Sequence, residues 1–251
     1  VAVCGVCTDI GGRTAGGLAP EAESVQEEGF RIPFSSASDS LYRLAAANSR
    51  FPDFFAADIA AQEQAVLSAC EWIEGLADGF TWDVVVSASE SVCERSRKAL
   101  ALARAEMSEG SYVRRDRLDG DSGSNAFRSL VVTAGVTNDR IFLDFEGSAE
   151  QSNGPTHCTR ESVLAACGVA IRQVFPEIPA CAFPIDNLEI RVPRGSLLDV
   201  NYPTPVGGTS AVLAERIASV VLEALSQSVH GRGRACDGGG GNVLVLEGRD
   251  R

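Results

Sequence analysis

Residues able to do chemistry gather in a few short stretches. The chain begins VAVCGVCTDIGGRTAGGLAP, where Cys4 and Cys7 stand in a CxxC pair and Asp9 follows, then Gly11-Gly12. CxxC is zinc-ligand spacing, but a closed zinc site needs four ligands. No second pair and no histidine occurs in the sixty residues after Cys7. Thiols three apart on an extended strand also point to opposite faces. On spacing alone these cysteines read as structural thiols. The second stretch is GPTHCTRE, with His157 beside Cys158. Adjacent side chains need not converge, so this pair is no self-sufficient nucleophile and base. His157 reads as a cap or surface histidine ahead of a helix. Gly238–Gly241 lacks the GK[ST] ending of a phosphate loop, and Gly11-Gly12 completes no GxGxxG. Nothing local binds ATP. The acidic run Glu21–Glu28 and the basic Arg114, Arg115 and Arg117 read as solvated faces.

The positioning elements follow from periodicity. Residues 1–7 read as a buried strand ending at the Asp9–Gly12 turn. A helix is expected from Asp39 or Ser40, and another from Pro52. Along the latter Ile59, Val66, Cys70, Ile73 and Leu76 make one apolar stripe, which Gly79 ends. A third helix is expected from about Asp83 to Met107. Beyond Gly110 the pattern changes: a loop at 119–125, then RSLVVTAGV and RIFLDFEGS as strands around Thr137-Asn138-Asp139. Helices over 159–175 and 210–227 and strands over 188–192 and 242–246 complete the reading. The expected fold class is α+β, with residues 1–110 as a strand plus helical block and 111–251 as the α+β part of the same region.

The bulk numbers restrict the partners. A chain of 251 residues with a net charge of -12 is a poor match for nucleic acid or an anionic membrane surface, which reward Lys and Arg. No apolar run approaches the roughly 18–20 residues of a membrane span, and no secretory leader is visible. Eight cysteines in such a chain read as reduced thiols and place the protein in the cytoplasm.

Taken in order, CTDIGGRTAGGLAP, QEEGFRIP, LAAANSRFPD, DRIFLDFEGSAEQSNGPTHCT, IRVPRGSLLDVNYPTPV and AERIASVVLEAL resemble the hydantoinase B/5-oxoprolinase family, which includes the large subunits of acetone and acetophenone carboxylases. The resemblance covers the middle of the usual family chain. It implies ATP-dependent attack on a cyclic amide or a ketone, with ATP bound by a hydantoinase A-like partner rather than by this chain. Other chains would supply the N- and C-terminal family segments. It also implies a divalent metal (Mg, Mn or Zn), with Asp9 and Cys7 at the positions to hold it. Asp9 and His157 are then the expected catalytic groups, and Gly11, Gly12, Asp199 and Arg216 the substrate-binding ones.

Two departures stand inside the match. Val6 and Cys7 occupy positions where the family usually carries histidine, and a thiolate favours softer ions than Mg or Mn. Three polar groups of the family's NVETSQR segment are replaced by Val212, Leu213 and Ala214. The expectation is therefore a subunit of a cyclic-amide hydrolase, with a carboxylase subunit or a structural subunit of such a complex as the alternatives.

Overall fold

The computed structural model describes residues 9–15, 19–33, 35–36, 38–120, 126–137, 140–180, 183–184, 188–233 and 235–236. The expected strands over 1–7 and 242–246, the 138–139 turn, the glycine run at 238–241 and the cysteines at 4 and 7 lie outside the described residues.

Helix α1 is one turn, Val25–Glu28. Helix α2 spans Asp39–Ala47, and its cap is Ser38, whose side chain accepts from the Leu41 amide at 3.3 Å. Three consecutive cap-competent residues made this boundary ambiguous in sequence. Helix α3, Pro52–Gly79, starts with proline in its first turn, where a missing N–H costs nothing. It turns at Phe80-Thr81 into α4, Trp82–Ala105. The predicted stripe from Ile59 to Leu76 is half-buried, and Phe55 is the buried residue of α3.

The sheet holds β1 (Gly110–Leu118), β2 (Arg128–Val136), β3 (Ile141–Asp144) and β4 (Glu189–Arg191) in the order β1-β2-β3-β4. The first three are antiparallel, and β3 pairs parallel with β4. A parallel neighbour requires a crossover, which is supplied by α5, Arg160–Val174. Helix α6, Ala214–Ser226, is preceded by a π-helical turn at Thr209–Leu213 and packs on α5 and on β1 and β2. Leu130, Val132 and Leu143 from the sheet and Phe145 just after β3 meet Val163, Cys167 and Ile171 of α5 and Ile217, Val221 and Leu225 of α6 in one core. The fold is α+β.

Strand β1 was not visible as a strand in sequence. Its Tyr112, Arg114 and Asp116 are half-buried and Leu118 buried, while the alternate positions are exposed. Arg114 pairs with Glu223 of α6 at 3.4 Å, and Asp116 pairs with Arg216. The expected solvated basic face is therefore divided, with one arginine turned to α6.

A candidate substrate cleft

The DIGG turn is built by its own aspartate. Asp9 is buried, and its Oδ1 accepts the Gly11 amide at 2.7 Å, an Asx-type turn that leaves Gly11 and Gly12 at φ +82° and +89°. Glycine is required here for contact as well as for φ. A Cβ on Gly11 would lie 2.6 Å from the Asn48 carbonyl oxygen, and one on Gly12 would lie 2.7 Å from that of Glu27.

Arg50, from the LAAANSRFPD segment, locks the turn from the other side. Its guanidinium stands 3.4 Å from Asp9 Oδ2 and donates to the Gly12 carbonyl at 2.8 Å, and its backbone amide approaches Asp9 Oδ1 at 3.4 Å. Arg13 N donates to Glu27 O at 2.7 Å, and Phe30 N to Ile10 O at 2.7 Å, which lays QEEGFRIP alongside the turn.

Glu28 carries the connection onward. Its carboxylate accepts the Val206 amide at 3.0 Å and the Gly207 amide. The next residue, Gly208, donates to Pro155 O at 3.0 Å, and the Thr209 hydroxyl donates to His157 O at 2.7 Å. Segments far apart in sequence thus meet at one end of the fold. Gln151 adds to the same region, its Oε1 accepting the Asn201 amide at 2.8 Å.

Beside the turn lies an open cleft of about 500 Å³, within the range of small-molecule sites. Ile10, Gly11, Gly12, Gln26, Arg31, Asn48 and Tyr202 are among the residues that line it. The Gln26 side-chain amide donates to the Tyr202 hydroxyl, and the Arg31 guanidinium sits over the Tyr202 ring at 5.3 Å.

His157 is fully buried rather than at the surface. Its Nε2 accepts the Ser152 amide at 2.9 Å, so that nitrogen is unprotonated and Nδ1 carries the proton. The turn bearing it is also held by Arg128, which donates to Thr156 O at 3.1 Å. Cys158 follows, its N bonded to Leu197 O at 2.9 Å. Burial, and secondarily the Asp199 carboxylate, push the Cys158 thiol up to about 12. Burial likewise pushes the Cys167 thiol up to about 12. Such thiols are poor nucleophiles.

Of the predicted site residues, Gly11 and Gly12 line the cleft and Asp9 builds the turn beneath it. His157 is tied to the same end through the 206–209 segment. Asp199 is half-buried near Cys158, its carbonyl accepting the Gly195 amide at 2.7 Å. Arg216 is not among the cleft residues; it pairs with Asp116 on β1. Arg50 and Tyr202 were not singled out, although each lies inside a quoted segment, and Glu28, expected on a solvated acidic face, is instead half-buried and accepts the Val206 and Gly207 amides.

The described residues do not fit a divalent metal as they are arranged. Asp9 already receives two amides and a guanidinium, and a cation held at 3.4 Å disfavours a second one. The Nε2 of His157 is engaged. Among the described residues no group of three or more His, Cys, Asp or Glu side chains could hold an ion.

The chain belongs to a known class of proteins. The family model for hydantoinase B/oxoprolinase matches residues 1–251, and the chain is a member of that family. It is 22% identical over 248 residues to an uncharacterised protein of Methanocaldococcus jannaschii, covering 96% of this chain and 43% of that protein. It is 23% identical over 248 residues to a 5-oxoprolinase of Dictyostelium discoideum, covering 93% of this chain and 19% of that protein. The chain thus spans less than half the length of these relatives. Its fold is shared with an ATP-dependent caprolactamase from Pseudomonas jessenii at a TM-score of 0.77 and 21% identity, over 90% of this chain and 40% of that one. It is also shared with a nucleotide-free acetone carboxylase at a TM-score of 0.79 and 16% identity, over 90% and 32%. Among the described residues no helix is long and apolar enough to cross a membrane.

Proposed function

We propose that this chain is the hydantoinase B-type part of an ATP-dependent enzyme that opens cyclic amides. A hydantoinase A-like partner binds the ATP, and further hydantoinase B-type segments complete the chain's own site. The observation that carries this reading is the convergence of the DIGG turn, QEEGFRIP, LAAANSRFPD and the SLLDVNYP region around one cleft. The cleft supplies amide-bearing side chains, Gln26 and Asn48, and close backbone approach at Gly11 and Gly12, which suits a planar lactam that both donates and accepts hydrogen bonds. Asp9 acts as an orienting group through the turn and Arg50. His157 acts by fixing the turn at the start of α5.

The test is reconstitution. The chain, assembled with its remaining family segments and a hydantoinase A-like partner, should open a lactam ring with stoichiometric ATP hydrolysis. ATP hydrolysis with no ring opening on lactams, but incorporation of bicarbonate into a ketone, would assign the carboxylase reaction instead.

A second reading is favoured by one observation: Asp9 and His157 are both engaged within the chain. On that reading the chain is a structural subunit that shapes the assembly. Ring opening that survives disruption of the cleft would support it.

A further inference from the structure

We propose that the cleft recognises an oxyanion on its small-molecule ligand, with Arg31 as the recognising group; this rests on the reading of the cleft as a substrate site. The chain carries 34 acidic against 22 basic residues, yet the described residues that line the cleft include no Asp or Glu. The neighbouring arginines are committed: Arg13 pairs with Glu21 and Glu27, and Arg50 with Asp9. Arg31 forms no ion pair among the described residues. Its guanidinium instead rests on the Tyr202 ring, which Gln26 holds in turn.

A guanidinium held against an aromatic face keeps N–H donors to offer, and its fork matches carboxylate and phosphate oxygens. Tethering it this way reduces the side-chain entropy lost when an anion binds. The chain as a whole carries a net charge of -12, so an anion entering the cleft needs a local cation, and the exposed Arg31 is the described lining residue that supplies one. Two oxyanions have this chemistry: a carboxylate on the lactam itself, and a phosphoryl group placed on the lactam oxygen by the ATP-binding partner.

Equilibrium binding to the assembled complex, without ATP, distinguishes them. The probes are 5-oxoproline, 2-pyrrolidinone (the same ring without its carboxylate) and inorganic phosphate, each against wild type, Arg31→Gln and Arg31→Lys. A carboxylate site predicts that 5-oxoproline binds about tenfold or more tighter than 2-pyrrolidinone, that Arg31→Gln abolishes the difference, and that Arg31→Lys restores part of it. Arg31-dependent binding of phosphate, with the two rings equal, assigns the phosphoryl group and also upholds the proposal. Binding of all three probes that is unchanged in Arg31→Gln, or no binding of any, overturns it. ATP-dependent ring opening is measured on the same samples. Its absence alongside Arg31-dependent binding counts against the proposed function, and its presence with Arg31-independent binding counts against the oxyanion site alone.

Discussion

Glu28 accepts the backbone amide of Val206 at 3.0 Å across 178 residues of sequence. With the adjacent Gly207 amide it forms a two-point clasp that joins the DIGG side of the cleft to the turn bearing His157. Glutamine at this position keeps the shape but removes the charge and offers one acceptor oxygen where the carboxylate offers two. Glu28→Gln should therefore lower stability by about 1–3 kcal/mol, and Glu28→Ala by more, because two amides are then left without an acceptor. Chemical denaturation of the two variants checks the order.

Removing Arg50 takes its guanidinium away from the buried Asp9 carboxylate. Breaking a buried pair costs about 3–5 kcal/mol, and the partial exposure of Arg50 places Arg50→Ala near the lower end of that range. Asp9→Asn, which keeps the acceptor for Gly11, should cost less than Asp9→Ala. Urea midpoints at constant m-value provide the comparison; equal midpoints for Asn and Ala would exclude the turn-building role.

Two glycines should respond with opposite signs. Gly12→Ala meets backbone at 2.7 Å and a φ of +89°, so a loss of about 2 kcal/mol or more is expected. Gly75 lies inside α3, where an added Cβ meets nothing within 4 Å. Gly75→Ala should raise stability by about 0.5–1 kcal/mol. Thermal unfolding of both variants in parallel provides the test.

The helices were largely legible in sequence because their stop signals are local: Pro52 opens α3 and Gly79 closes it. Strand β1 was not, because its inward positions include Arg114 and Asp116 rather than apolar residues. They are satisfied by Glu223 and Arg216 of α6, and pairing over a hundred residues leaves no local pattern. The burial of His157 was hidden for the same reason. Its neighbours in sequence are polar, and its cover comes from Ser152, Arg128 and the 206–209 segment. The Asp9–Gly12 turn was visible as chemistry, but its partner Arg50, 41 residues away, was not.

The thiols of Cys158 and Cys167 should be inert and should give stability a specific alkaline dependence. Their folded-state values, raised from 9.0 to about 12, exceed those of the unfolded chain. The associated stability is then fully present below pH 9 and is lost as pH rises towards 12. Iodoacetamide at pH 8 should label the half-buried Cys70 and Cys93 well before these two. Peptide mapping of the labelled protein reads the order, and early modification of Cys158 would contradict the buried placement.

The most direct test of the account is kcat/KM for ATP-dependent lactam opening by the assembled complex carrying Asn48→Ala or Tyr202→Ala. Both residues line the cleft, and neither belongs to the hydrophobic core. The account predicts a loss of about tenfold or more for each with assembly intact; wild-type kcat/KM in both variants would contradict it.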